Sequence, residues 1–227
     1  NDAPSGADRT VTTGEDVAYS FAAADFGFSD PGDSPANSLQ SVIITTLPGS
    51  GSLRLGGVAV TVGQTISAAS LSSLSWTPAA NSNGSGLASF SFQVVDNGGT
   101  ANGGANTDAS ANTITFNVTA VNDAPVAVAD SATTSEDVAA TGNVLGNDTD
   151  VDGPSLSVTG FVWNGTSYAA GSVASIAGVG TLVINADGSF SFTPAANYSG
   201  SVPSASYTVS DGALSATGTL GLGPIVK

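Results

Sequence analysis

Asn122-Asp123-Ala124-Pro125, followed by Ser135-Glu136-Asp137-Val138, restates Asn1-Asp2-Ala3-Pro4 and Gly14-Glu15-Asp16-Val17 at a constant offset of 121 residues. A second match, Trp76-Thr77-Pro78-Ala79-Ala80-Asn81 against Phe192-Thr193-Pro194-Ala195-Ala196-Asn197, runs at an offset of 116. The chain is therefore a tandem array, and its period decides the fold. Its only two glutamates, Glu15 and Glu136, occupy the same place in the two units. Acids locked to a repeat in this way point to a shared cation role. The boundary falls at Val121-Asn122, giving domains 1–121 and 122–227, each of ordinary domain size. Pro125 stiffens the crossing.

Within each unit the hydrophobic pattern has period 2. Phe90-Ser91-Phe92-Gln93-Val94, Ile114-Thr115-Phe116-Asn117-Val118 and Tyr207-Thr208-Val209 alternate apolar and polar residues, as half-buried strands do. The 29 glycines and 10 prolines punctuate these runs. Asp187-Gly188 reads as a hairpin turn. Residues 67–73 read as a single helical turn. Trp76 and Phe192 hold matched positions and read as core plugs. The expected fold is all-β: two tandem Ig-like, cadherin-like antiparallel β-sandwich domains, joined end to end by a short linker.

Composition excludes several functions. The chain carries 18 acids against Arg9, Arg54 and Lys227, for a net charge of −15. Nucleic acid and anionic membrane surfaces need clustered cations that are missing here. No apolar run is long enough to span a bilayer. Cys and His are absent, which removes disulfides and the usual ligands of zinc, copper and iron. Hard, oxygen-seeking cations remain. The chain starts inside a motif and reads as a monomeric fragment of a longer protein.

A seven-strand immunoglobulin-like order fixes where the acids should go. If strands alternate in direction, Glu15 and Asp16 end the first strand at the bottom of the first domain. Asp148, Asp150, Asp152 and Asp211 then lie at the top of the second, beside the linker residues Asn122 and Asp123. Asp148-Thr149-Asp150-Val151-Asp152-Gly153 is the sharpest local motif. Its alternating aspartates can wrap oxygens round Ca²⁺, although the position of an EF-hand glutamate holds Thr159. Aspartates also favour turns for their own sake. Ca²⁺ takes six to eight oxygens and suits such a crowd better than Mg²⁺. The expected ligands are Glu15, Asn122, Asp123, Asp150, Asp152 and Asp211, with Asp148 beside them. Asp2, Asp30, Asp33 and Asp96 at one outer end, and Glu136 and Asp137 at the other, read as half-sites that a neighbouring repeat would complete.

These motifs resemble bacterial cadherin-like and immunoglobulin-like repeats, the extender regions of giant surface adhesins of the repeat-in-toxin (RTX) type. The likeness covers roughly residues 1–120 and 122–222. It places the cadherin linker motif on Asn122, Asp123, Ala124 and Pro125, its first-strand glutamate on Glu15 and Glu136, and its paired aspartates on Asp150 and Asp152. Ala120 stands where animal cadherins carry an acid, and their mid-domain acidic-Arg-Glu motif is missing, so the number of ions per junction stays open. The resemblance implies Ca²⁺-stiffened repeats that contact neighbouring repeats of the same chain. It implies an extracellular place on a bacterial surface, type I secretion from a Gram-negative cell, and a role in adhesion or biofilm. Two other functions compete. A carbohydrate- or protein-binding module would need exposed aromatics, of which an aromatic content of 7% leaves few. A carboxylate enzyme would need paired acids in a cleft, whereas these acids belong to domain ends and have no histidine partner.

Overall fold

The computed structural model describes all residues, 1–227. The chain divides into two compact units, Asn1–Val121 and Asn122–Lys227. In the first unit the strands are β1 (Arg9–Gly14), β2 (Tyr19–Ser20), β3 (Leu39–Ile44), β4 (Ser52–Leu55), β5 (Val58–Ala59), β6 (Thr65–Ser67), β7 (Leu74–Thr77), β8 (Gly84–Asp96) and β9 (Asn112–Thr119). They form one sheet in the order β1-β9-β8-β3-β6 and a second in the order β2-β7-β4-β5. The second unit contains β10 (Asp130–Ala132), β11 (Ala140–Asn143), β12 (Ser157–Trp163), β13 (Thr166–Ala169), β14 (Ala174–Ile176), β15 (Gly180–Ile184), β16 (Ser189–Pro194), β17 (Ala205–Ser210) and β18 (Ser215–Leu222). Its sheets run β10-β18-β17-β12-β13 and β11-β16-β15-β14. Both units are all-β; the helical turn read at 67–73 is a 3-10 helix, Ala68–Ser73.

Alternation builds each core. β9, β15 and β17 turn every second side chain inward, as the two-residue period of a strand requires. In the first unit Trp76 of β7 stacks on Phe116 of β9, with centroids 3.8 Å apart and planes at 12°, so an aromatic pair ties one sheet to the other. In the second, Trp163 of β12 meets Phe192 of β16 edge-on at 6.0 Å. Each buried indole finds an acceptor: Ser50 O at 3.1 Å for Trp76 and Pro203 O at 2.8 Å for Trp163.

One feature departs from a wholly antiparallel sandwich. The first strand of each unit pairs parallel with the last, β1 with β9 and β10 with β18. β1 and β10 are edge strands of their sheets. The Glu-Asp-Val turns follow directly. Asp16 and Asp137 both adopt left-handed backbone, with φ of 62° and 63°, a conformation that aspartate tolerates better than most side chains. Thr13 Oγ1 and Thr134 Oγ1 donate to Val17 O and Val138 O, each at 2.9 Å. Part of the repeat is therefore turn chemistry.

Candidate functional site: acidic clusters at the entry end of each unit

In the second unit the linker residues meet two distant loops. Asn122 Nδ2 donates to Asp211 Oδ2 at 2.7 Å, and the Asp123 amide donates to Asp152 Oδ2 at 2.6 Å. Val126 and Thr149 exchange two backbone hydrogen bonds, which pins the entry segment beside the aspartate loop. Within that loop Asp150 Oδ1 accepts the Asp152 amide at 2.8 Å, as an Asx turn does. Asp150 Oδ2 is buried and has no hydrogen-bond partner. Asn122, Asp150, Asp152, Gly153, Ser155 and Asp211 line a cleft of about 300 Å³. Asp211 Oδ1 also accepts the amides of Ala213 and Leu214 at 2.6 and 2.7 Å. The Asn122 side chain, then these amides, hold its carboxyl below the usual carboxylate range.

The first unit repeats the two linker contacts at matched positions. Asn1 Nδ2 donates to Asp96 Oδ1 and Oδ2 at 3.2 and 3.3 Å, and the Asp2 amide to Asp33 Oδ2 at 3.1 Å. Ser5 and Ser29 exchange two backbone bonds, in the role of Val126 and Thr149. Asp30 answers to Asp150, and both of its carboxylate oxygens are buried without a partner. Asp96 is completely buried. Asn37, which sequence reading missed, bridges Asn1 Oδ1 and Asp33 Oδ2. Nothing in the local pattern marks Asn37, because it comes close only when the 31–38 loop folds back.

The donor set suits a hard cation, since every side-chain group that could ligate is a carboxylate or amide oxygen. Orphaned carboxylate oxygens at matched positions call for a counter-charge, because an unpaired buried charge is costly. Nowhere, however, do three acidic side chains stand close enough together to hold one ion as they lie. Amide donors currently occupy Asp33, Asp96, Asp152 and Asp211, so a bound ion would have to take those oxygens from N–H groups.

The remaining expected ligands are placed differently. Glu15 is buried within the first unit; Oε1 accepts the Val121 amide at 2.6 Å and Oε2 accepts Asn83 Nδ2 at 3.3 Å. It ties down the end of its own unit. Glu136 is half-exposed, and its amide donates to Val226 O at 2.8 Å, as that of Glu15 donates to Thr119 O at 2.9 Å. Asp137 Oδ1 accepts the Asn197 amide at 2.9 Å. Asp148 turns inward: its Oδ1 accepts the Val128 amide at 2.7 Å, and both oxygens face Tyr207 Oη at 3.2 and 3.1 Å. Asp130 Oδ2, Val128 O and Val144 O crowd the same hydroxyl. Burial, and then the neighbouring Asp148 charge, push the Asp130 carboxyl above its ordinary range against the opposing pull of the Tyr207 hydrogen bond. Asp108 is also buried, accepting the amides of Gly6 and Ser110 at 2.7 and 3.0 Å.

Tyr19, Phe28, Tyr168 and Tyr198 are partly exposed, and every other aromatic side chain is buried. No helix is long and apolar enough to cross a membrane.

Residues 122–223 match the family model described as bacterial cadherin-like domain. No curated protein matches the chain. Among solved structures, mouse cadherin-23 EC22-24 aligns at 13% identity and a TM-score of 0.46, covering 98% of this chain and 67% of that one. Human mucin-like protocadherin EC1-2 aligns at 14% and 0.45, covering 97% of each chain. An endo-fucoidan hydrolase of glycoside hydrolase family 107 aligns at 19% and 0.32, covering 100% of this chain and 29% of that one. All three scores are too low to argue from. What the strand pairing and the family match together establish is an all-β chain whose second unit is similar to bacterial cadherin-like domains.

Proposed function

We propose that this chain is a pair of structural extender repeats from a bacterial surface adhesin, with Ca²⁺ bound at the domain ends as stiffener. The observation that carries this reading is an orphaned buried carboxylate oxygen at the matched loop position of each unit, in Asp30 and in Asp150. Turn chemistry alone does not ask for it, since an Asx turn uses one oxygen and leaves the other to water. When bound, the ion supplies positive charge and a rigid oxygen cage. Asn122, Asp123, Asp150, Asp152 and Asp211 would hold it in the second unit, and Asn1, Asp2, Asp30, Asp33 and Asp96 in the first. Glu15 contributes by fixing Val121, the residue before the linker. The bacterial cadherin-like match supports an extracellular adhesion-type module. Carriage of a distal ligand-binding domain, for cell adhesion or biofilm, follows from the RTX-type reading of the repeats.

Calorimetric titration with Ca²⁺, and with Mg²⁺ as comparison, tests this directly. Saturable Ca²⁺ binding that Asp30→Asn and Asp150→Asn each reduce supports the proposal. No binding at millimolar Ca²⁺ would sink it and leave the acids as turn formers.

A further inference from the structure

The chain contains four Asn-Gly dipeptides, at Asn83, Asn97, Asn102 and Asn164. Glycine leaves the following amide nitrogen unshielded, so that nitrogen can reach the asparagine carboxamide. At Asn97 alone, two further groups converge. The Gly98 amide donates to Asp96 Oδ1 at 2.7 Å, within the reach a general base requires. Asn97 Oδ1 accepts the Ser38 amide at 2.9 Å, which polarises the carboxamide and would stabilise an oxyanion there. The frame is held: the Asn97 amide donates to Ser38 O at 3.1 Å. Gly98 is obligatory, because Asn1 Oδ1 and Asn37 Nδ2 fill the space a Cβ would need. Asp96 is buried, whereas Asn97 is exposed and open to water. The other three lack this pairing. Asn102 and Asn164 sit in left-handed backbone, with φ of 55° and 50°. Asn83 has its amide nitrogen held by Glu15 at 3.3 Å.

We infer that Asn97 is a self-modification site at which the fold itself promotes deamidation. The Gly98 nitrogen forms a bond to Asn97 Cγ as Asp96 takes the amide proton. The Cγ–Nδ2 bond breaks, the proton goes to the leaving nitrogen, and ammonia departs from a succinimide. Water then opens either imide carbonyl to give aspartate or isoaspartate at position 97. The balance is carboxamide plus water to carboxylate plus ammonium, with no change of oxidation state. The product places a new carboxylate next to Asp96, where Asn1, Asp2 and Asp33 gather. An isoaspartate also lengthens the backbone by one carbon and breaks the paired bonds to Ser38. The inference concerns the ion-free chain, because an ion on Asp96 would take the oxygen that accepts the Gly98 amide.

The test is a time course on the full folded chain at neutral pH with chelator, read by peptide mass spectrometry at all four asparagines. Asn97 is expected to convert about tenfold or more faster than each of the others, a modest share of general-base catalysis. In urea the four rates should draw together, because the lead belongs to the fold. Asp96→Asn should bring Asn97 down to the other three. An Asn97 rate no higher than that of Asn164 in the folded chain, or one unchanged by Asp96→Asn, overturns the inference. Tryptophan fluorescence reports whether Asp96→Asn still folds; if it does not, the folded-versus-urea comparison on the unaltered chain decides.

Discussion

Asp150 and Asp130 stand in one unit, yet their environments ask opposite things of them. Asp150 keeps one oxygen buried and unpartnered, so removing its charge relieves repulsion when no ion is present. Asp150→Asn should therefore raise the chelator melting temperature of the second unit slightly and abolish any gain from Ca²⁺, by differential scanning calorimetry. Asp130 shares a single phenolic hydrogen with Asp148 and two carbonyls, and its carboxyl is raised mainly by burial. The native state then holds its proton more tightly than the unfolded chain does. That contribution is present in full below the unfolded carboxylate range and is lost as pH rises through the raised value. Asp130→Asn should flatten this loss, making the variant the more stable of the two at neutral pH and leaving little difference in acid. Asp211 has the opposite sign: its carboxyl is lowered, so its contribution is present above the ordinary range and disappears as pH falls through the lowered value.

Single elements hold each unit together through few contacts. The Trp76–Phe116 stack joins β7 to β9 across the first sandwich. Trp76→Ala should cost about 3–5 kcal/mol, seen as a lower urea midpoint for the first unit while the unfolding of the second stays put. Gly218 of β18 lies opposite Tyr207, and a Cβ there would come within 2.2 Å of the ring. Gly218→Ala must push the ring off its carboxylates and should destabilise the second unit by roughly 1–3 kcal/mol. The Glu15 tie acts at the last residue of the first unit. Glu15→Gln keeps the shape and removes the charge, so the Val121 amide should exchange faster with deuterium in the variant.

For the whole molecule, the net charge of −15 is the dominant fact. Self-repulsion strains compact states, and on the proposed reading Ca²⁺ would relieve it by mass action. A site of about 0.1 mM affinity in about 10 mM Ca²⁺ stabilises by about 2.7 kcal/mol. That is a large share of an ordinary domain stability of about 5–15 kcal/mol. Melting temperature and small-angle scattering should both respond: with Ca²⁺ the chain is expected to melt later and scatter as a longer, stiffer particle than with chelator. Unchanged curves in both measurements would mean that the acids are solvated turns.

The tandem period, the all-β class, the strand alternation and the core tryptophan were set by residue order alone, because a two-residue period and a 121-residue repeat are one-dimensional signals. The Glu-Asp-Val turns were legible too, since a left-handed position favours aspartate locally. What the acids touch was decided only by tertiary structure. Asp148 and Asp150 are two residues apart and would share a face in a regular strand, but the loop turns one to Tyr207 and the other to the cleft. Asp33 and Asp96 meet the entry segment across 31 and 95 residues of chain. Asn37 and Asn83 joined their networks without any sequence signal. A carboxylate's role depends on which donors the fold brings within 3 Å of it, and sequence order carries no such distance.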